Sequence, residues 1–161
     1  MKLIERSYYL NKLLAVKDIP DIKVITGLRR SGKSKLIDAY ANILERETTN
    51  NVIRIPLYLK KYEKLRNGND LYEYIDSKYC DNSNNYLLID EVQMCQDFEE
   101  TINSLHEEER FDIYLTGSNA FLLSSDLATL FRGRVFQIDI YPFSFDEYLL
   151  YYPSSDIDNS F

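Results

Sequence analysis

Ile22-Lys23-Val24-Ile25-Thr26-Gly27-Leu28-Arg29-Arg30-Ser31-Gly32-Lys33-Ser34 carries the strongest pattern in this chain. Its first five residues are mostly β-branched and apolar, follow Pro20-Asp21 and stop at Gly27, as a short strand does. Its last eight fit G-x-x-x-x-G-K-S. Beyond them Leu36, Tyr40, Ile43 and Leu44 recur at helical spacing, which predicts a helix to about Glu47. Strand, glycine loop and helix in this order form a phosphate cradle. The glycines let the backbone curl until successive N–H groups point at one anion, at the positive end of the helix dipole. Lys33 then reaches the β- and γ-phosphates as a point charge, and the Ser34 hydroxyl can ligate magnesium. The expected ligand is ATP with Mg2+, held by Gly27, Ser31, Gly32, Lys33 and Ser34. Arg29 and Arg30 sit inside the loop, either as phosphate contacts or as loop-surface residues, because the loop's own N–H groups already serve the phosphates.

Working outward, Asn51–Pro56 reads as a second strand that stops at its proline. Asp70 with Glu73, and Asp97 with Glu100, resemble capping boxes opening two helices. Leu71, Tyr74, Ile75 and Tyr79 stripe the first helix, and Phe98, Ile102 and Leu105 the second. The run Glu107-Glu108-Glu109-Arg110 reads as a solvated helix end. Between the helices, Tyr86-Leu87-Leu88-Ile89 is continuously apolar, as a strand buried on both faces must be. Phe111–Thr116 predicts a fourth strand, and Leu122, Leu123, Leu127 and Leu130 a helix closing near Gly133. Val135–Ile140 alternates as a fifth strand. Strands separated by helices imply right-handed crossovers and a parallel, doubly wound α/β sheet.

A chain of 161 residues, 45% hydrophobic and 28% charged, is expected to form one globular domain. The net charge of -7 does not support a surface broadly adapted to nucleic acid, although a local basic strip is compatible with it. Cys80 and Cys95 are too few for a disulfide framework, and His106 has no ligand-spaced partner, so neither structural zinc nor an oxidising compartment is expected. The first residues, Met1–Arg6, meet charge at once, unlike a secretory leader. With no apolar run of roughly 18 residues, the expected setting is soluble and cytoplasmic, without membrane contact.

Two acids close the apolar third strand, at the strand end where ligands bind in open α/β sheets. Asp90 fits the role of holding magnesium, and Glu91 that of polarising an attacking water. Thr116-Gly117-Ser118-Asn119 ends the next strand, and places a hydroxyl or amide beside the γ-phosphate or simply makes a turn. Arg132 and Arg134 flank Gly133. They either complement a helix C-terminus or supply an arginine finger, in cis or to the nucleotide of a neighbouring subunit. A guanine-reading Asn-Lys-x-Asp is missing after the later strands, since Asn11-Lys12 precedes the loop. A small-molecule kinase fits less well than an ATPase, because no Arg-bearing lid is evident and the acid pair is present.

Taken together, Gly27–Ser34, Leu87-Leu88-Ile89-Asp90-Glu91-Val92-Gln93, Leu115-Thr116-Gly117-Ser118 and Arg132-Gly133-Arg134 resemble an AAA-type P-loop ATPase. Within that superfamily the set is similar to a large prokaryotic family whose N-terminal ATPase domain precedes a C-terminal domain. The resemblance spans about Ile4 to Leu150, which makes 1–150 the ATP-binding domain and 151–161 a tail or linker. It implies a three-layer α/β/α P-loop NTPase fold with a five-stranded, mainly parallel sheet. It also implies phosphate and magnesium contacts at Gly32, Lys33 and Ser34, a magnesium acid at Asp90 and a catalytic base at Glu91. Thr116 or Ser118 becomes the γ-phosphate sensor, and Arg132 or Arg134 the finger. AAA-type modules carry a helical lid after the fifth strand, and this chain ends before one. A partial site with slow turnover and a further C-terminal domain are therefore expected, and a finger in trans would require a homo-oligomer. The leading expectation is an ATPase whose hydrolysis switches an attached or partner domain. The alternatives are a nucleotide-dependent DNA- or protein-binding regulatory module and a small-molecule P-loop kinase.

Overall fold

The computed structural model describes residues 7–28, 31–118 and 127–141. In chain order the elements are α1 (Ser7–Ala15), β1 (Ile22–Gly27), α2 (Lys33–Leu44), β2 (Asn50–Pro56), a 3-10 turn (Lys60–Leu65) and α3 (Gly68–Lys78). There follow β3 (Asn84–Asp90), a second 3-10 turn (Val92–Met94), α4 (Phe98–Glu107), β4 (Asp112–Ser118), α5 (Leu127–Leu130) and β5 (Val135–Ile140). The strands form one sheet in the order β2-β3-β4-β1-β5, and every neighbouring pair is parallel.

Strand order dictates the layers. β1 is first in the chain yet lies between β4 and β5, so the crossover to β2 runs one way past two strands and the later crossovers run back. Right-handed crossovers place the connecting helix on a face set by their direction. Hence α2 covers one face with α1, and α3, α4 and α5 cover the other. The two-residue period of the strands then sorts side chains between two cores. Val24, Leu87, Ile89, Ile113 and Leu115 meet Leu71, Ile75, Phe98, Ile102, Leu105 and Phe131. Ile25, Tyr86, Leu88 and Tyr114 meet Leu10, Leu13, Leu36, Tyr40 and Leu44. β1 is buried along its whole length, as a strand covered on both faces must be, whereas only Ile138 and Ile140 of the edge strand β5 are buried.

Three local expectations are corrected. α3 starts at Gly68 because Asn67 caps it, its side chain accepting from the Asp70 N–H at 3.0 Å, so Asp70 is not the cap. Asp97 precedes α4 in a left-handed conformation (φ 61°) and makes no side-chain cap. α2 ends at Leu44, short of Glu47, where the Asn50 Nδ2 donates to the Leu44 carbonyl at 2.9 Å. Helix α1 and both 3-10 turns were not anticipated. Leu122 and Leu123 lie outside the described residues.

One charged pair is buried beneath α1 and α2. Lys23 is fully covered and its Nζ meets Asp112 Oδ1 at 2.5 Å. Asp112 Oδ2 accepts from the Tyr114 hydroxyl at 2.8 Å and the Asp18 N–H at 2.9 Å. Such a pair is tolerable because its remaining polar atoms are satisfied. It ties the start of β1 to the start of β4, at the opposite end of the sheet from the glycine loop.

Candidate nucleotide site

Gly27 closes β1 at the carboxyl end of the sheet, paired with Ser118 of β4 on one side and Ile140 of β5 on the other. A Cβ added at Gly27 would lie 2.6 Å from Ser31 Oγ and 2.9 Å from the Ile140 carbonyl oxygen, so only glycine lets the loop fold back this closely. The Ser31 N–H donates to the Leu28 carbonyl at 3.1 Å. Gly32 takes the left-handed conformation (φ 93°, ψ 19°) that turns the chain into α2. Lys33 opens that helix and is buried; its ammonium donates to the carbonyls of Gly27 and Leu28, both at 3.1 Å. A short polar side chain at Ser34 follows, on the first turn of α2. Arg29 and Arg30 lie outside the described residues.

The two acids arrive from β3. Register places Asp90 beside Pro56 at the end of β2, and Asp90 is 4% exposed. Thr116 of β4, itself fully buried, links both acids: its hydroxyl donates to Asp90 Oδ1 and accepts from the Glu91 backbone N–H at 2.9 Å. Burial raises the Asp90 carboxyl above its ordinary value, the Thr116 and Ser34 hydroxyls pull it back down, and the neighbouring Glu91 and Asp38 carboxylates push it up again. Glu91 is held left-handed (φ 58°, ψ 56°), a rare conformation for a residue with a Cβ, and its side chain accepts from Gln93 Nε2.

The Ser34 hydroxyl at the start of α2 and the Asp90 carboxylate at the end of β3 are oxygen donors of the kind a hard divalent cation takes. Among the described residues no group of three or more His, Cys, Asp or Glu could hold a metal alone.

The structure thus brings together Gly27, Ser31, Gly32, Lys33, Ser34, Asp90, Glu91, Thr116 and Ser118 at one end of the sheet. It separates the two sensor candidates. The Thr116 hydroxyl is committed to the acids, while Ser118 is half-buried beside Gly27. Arg132 and Arg134 are not at this end. The Ile22 N–H donates to the Arg134 carbonyl at 2.8 Å, which puts both arginines at the start of β1. With about 3.3 Å per residue, Gly27 is roughly 17 Å further along that strand. Arg134 is held by Glu107 and by Asn103 Oδ1, the latter at 3.1 Å, whereas Arg132 (φ 56°) is 67% exposed with Glu107 3.9 Å away.

A family model described as an AAA domain matches residues 20–149. The chain belongs to that AAA family. It is an AAA-type P-loop ATPase domain with a nucleotide-binding fold. A Haemophilus influenzae protein is 39% identical over 150 residues, covering 91% of this chain and 38% of that protein. A Methanocaldococcus jannaschii protein is 29% identical over 152 residues, covering 92% of this chain and 33% of that one. The AAA domain therefore spans little more than a third of the curated relatives it matches. Among solved structures, the Aeropyrum pernix ORC1 protein in complex with DNA superposes with a TM-score of 0.68 at 9% identity, covering 89% of this chain and 47% of that one. Cdc6p from Pyrobaculum aerophilum gives 0.61 at 16% identity, covering 91% and 48% respectively. Identities this low concern the fold. Among the described residues no helix is long and apolar enough to cross a membrane.

Sequence reasoning missed Tyr58. This residue follows β2, and partial burial together with the nearby Asp90, Asp38 and Glu91 carboxylates raises its phenol above the ordinary value. No motif marks it; only the pairing of Pro56 with Asp90 brings it to the site.

Proposed function

We propose that this domain binds ATP with magnesium on Gly27–Ser34 and hydrolyses it, the nucleotide state switching an attached or partner domain. The supporting observation is the hydroxyl at the strand ends: Thr116 fixes Asp90 and the Glu91 backbone together, at the same end of the sheet as the glycine loop. Lys33, which donates to the carbonyls of Gly27 and Leu28, would exchange them for the β- and γ-phosphates, whose full charge makes them stronger partners. Ser34 and Asp90 would hold the magnesium, which would supply charge to offset that developing on transfer. Glu91, held by Gln93 and by its own N–H, orients a water and takes its proton. Ser118 reports the γ-phosphate from the neighbouring strand, and Thr116 acts on it indirectly through the acids.

The distance along β1 favours a finger in trans. An arginine side chain cannot span the strand from Arg134 to Gly27, so Arg132 or Arg134 serves the nucleotide of a second copy, with Arg132 the better exposed. A homo-oligomer and a C-terminal effector domain follow from this reading. A nucleotide-dependent DNA- or protein-binding module is the second reading, favoured by the cluster Lys60, Lys61, Lys64 and Arg66 beside the site in an otherwise acidic chain.

Calorimetric titration of ATP with and without magnesium, on wild type, Lys33→Ala and Glu91→Gln, tests the assignment. Wild type and Glu91→Gln are expected to bind, Lys33→Ala to lose binding, and Glu91→Gln to hydrolyse about 10²-fold or more slowly. An equal rate in Glu91→Gln would remove Glu91 as the base; no binding by wild type would remove the function.

A further inference from the structure

We infer that Gln93 is a positioning residue for the base: its carboxamide sets the rotamer of the Glu91 side chain, and the fold gives up stability to keep it there. This rests on the reading of Glu91 as the base and adds a residue that acts through it. The Glu91 backbone is already fixed. Its N–H donates to the Thr116 hydroxyl at 2.9 Å, its carbonyl accepts from the Met94 N–H at 3.0 Å, and between them it holds the left-handed conformation (φ 58°). Those contacts settle where the side chain leaves the backbone, but not the torsions between Cα and the carboxylate. Gln93 Nε2 donates to Glu91 Oε2, which fixes the far end of that side chain.

Gln93 projects from a rigid support. It lies in the 3-10 turn Val92–Met94, whose first residue is fully buried in the core shared with α3 and α4. The Cys95 N–H closes that turn onto the Val92 carbonyl at 3.0 Å, and Cys95 is buried in the same core. A residue that orients another needs such a footing. The two ends of the carboxamide are treated differently. Nε2 is bonded to Glu91, whereas Oε1 is covered and has no hydrogen-bond partner among the described residues. A covered carbonyl without a donor costs stability. A side chain serving the fold alone would have both ends satisfied, or would be apolar. One held at a cost to the fold belongs where function requires it, and here that is the reach from Gln93 to the base.

The test compares single-turnover ATP hydrolysis at saturating magnesium by wild type, Gln93→Met, Glu91→Gln and the double variant, with ATP affinity by calorimetry and thermal unfolding of each ligand-free protein. Methionine keeps the length of the side chain and removes both polar ends. Gln93→Met is expected to keep ATP affinity within about twofold and the midpoint within about 3 °C, because the lost hydrogen bond takes the covered, unpaired acceptor with it. Its hydrolysis rate is expected to fall roughly 10- to 100-fold, the consequence of a misplaced catalytic group. In the Glu91→Gln background the same substitution is expected to change the residual rate by less than about twofold, since a residue acting through Glu91 has nothing left to orient. Gln93→Ala repeats the series with a smaller side chain. An unchanged rate in Gln93→Met and Gln93→Ala, an equal fold-loss in both backgrounds, or a loss that tracks a lowered midpoint overturns the proposal and leaves the nucleotide site standing. If wild type does not hydrolyse ATP, or Glu91→Gln does so as fast, the reading of Glu91 falls and takes this inference with it.

Discussion

Replacing Thr116 with valine removes one hydroxyl at nearly constant volume and tests the hinge of the site. That hydroxyl accepts from the Glu91 N–H and donates to Asp90 Oδ1, and at zero exposure no water can take its place. A neutral bond contributes about 0.5–1.5 kcal/mol, and one to a charged group about 1.5–3 kcal/mol. Their loss together should cost about 2–4 kcal/mol, or roughly 5–15 °C in thermal midpoint for a domain of this size. Thr116→Ser keeps the hydroxyl, loses one methyl and should cost about 1 kcal/mol. Differential scanning calorimetry of both variants separates the hydroxyl from the packing. Glu91 should also lose its left-handed anchor, so the ATP turnover of Thr116→Val should drop about tenfold or more below that of Thr116→Ser. Equal midpoints in the two variants would refute the two-bond account, whatever the turnover.

Two further outcomes follow from the same geometry. Burial raises the Asp90 carboxyl above its ordinary 3.8, so its contribution to stability is present below that value and is lost as pH rises through the folded value. Asp90→Asn should therefore melt above wild type at pH 7, with the gap closing toward about pH 4, and should lose the magnesium dependence of ATP binding; melts that diverge as pH falls would contradict the buried charge. Arg134→Ala should destabilise by about 1–3 kcal/mol through Glu107 and Asn103, whereas Arg132→Ala should stay within about 0.5 kcal/mol. Arg132→Ala should lower turnover only at protein concentrations where copies associate, so a concentration-independent loss would argue against a finger in trans.

Most of the phosphate cradle was legible in the sequence because its determinants are local. Gly27, Gly32, Lys33 and Ser34 act through backbone conformation and fixed spacing within one strand–loop–helix unit. The apolar run ending in Asp90-Glu91 was legible for a similar reason: a strand covered on both faces reads as continuous hydrophobicity, and the first polar residues mark its exit. The helix starts were less legible. Asp70 and Asp97 have the right side chains for caps, but backbone conformation decides whether a side chain can turn back on its helix, and Asn67 takes that place for α3.

What spacing along one chain does not encode is which strand ends become neighbours. The parallel order β2-β3-β4-β1-β5 brings the Thr116 hydroxyl between Asp90 and the Glu91 backbone and leaves Ser118 beside Gly27. The same order sends Arg132 and Arg134 to the far end of β1, although the loop and the arginine pair belong to one motif set. The fold class, the glycine loop between β1 and α2 and the acid pair at the end of β3 were readable from the chain, because each rests on neighbours in sequence. That Thr116 meets those acids, and that Arg132 and Arg134 lie at the far end of β1 from the loop, came from the tertiary structure, because both depend on register between strands and on the length of one strand through the sheet.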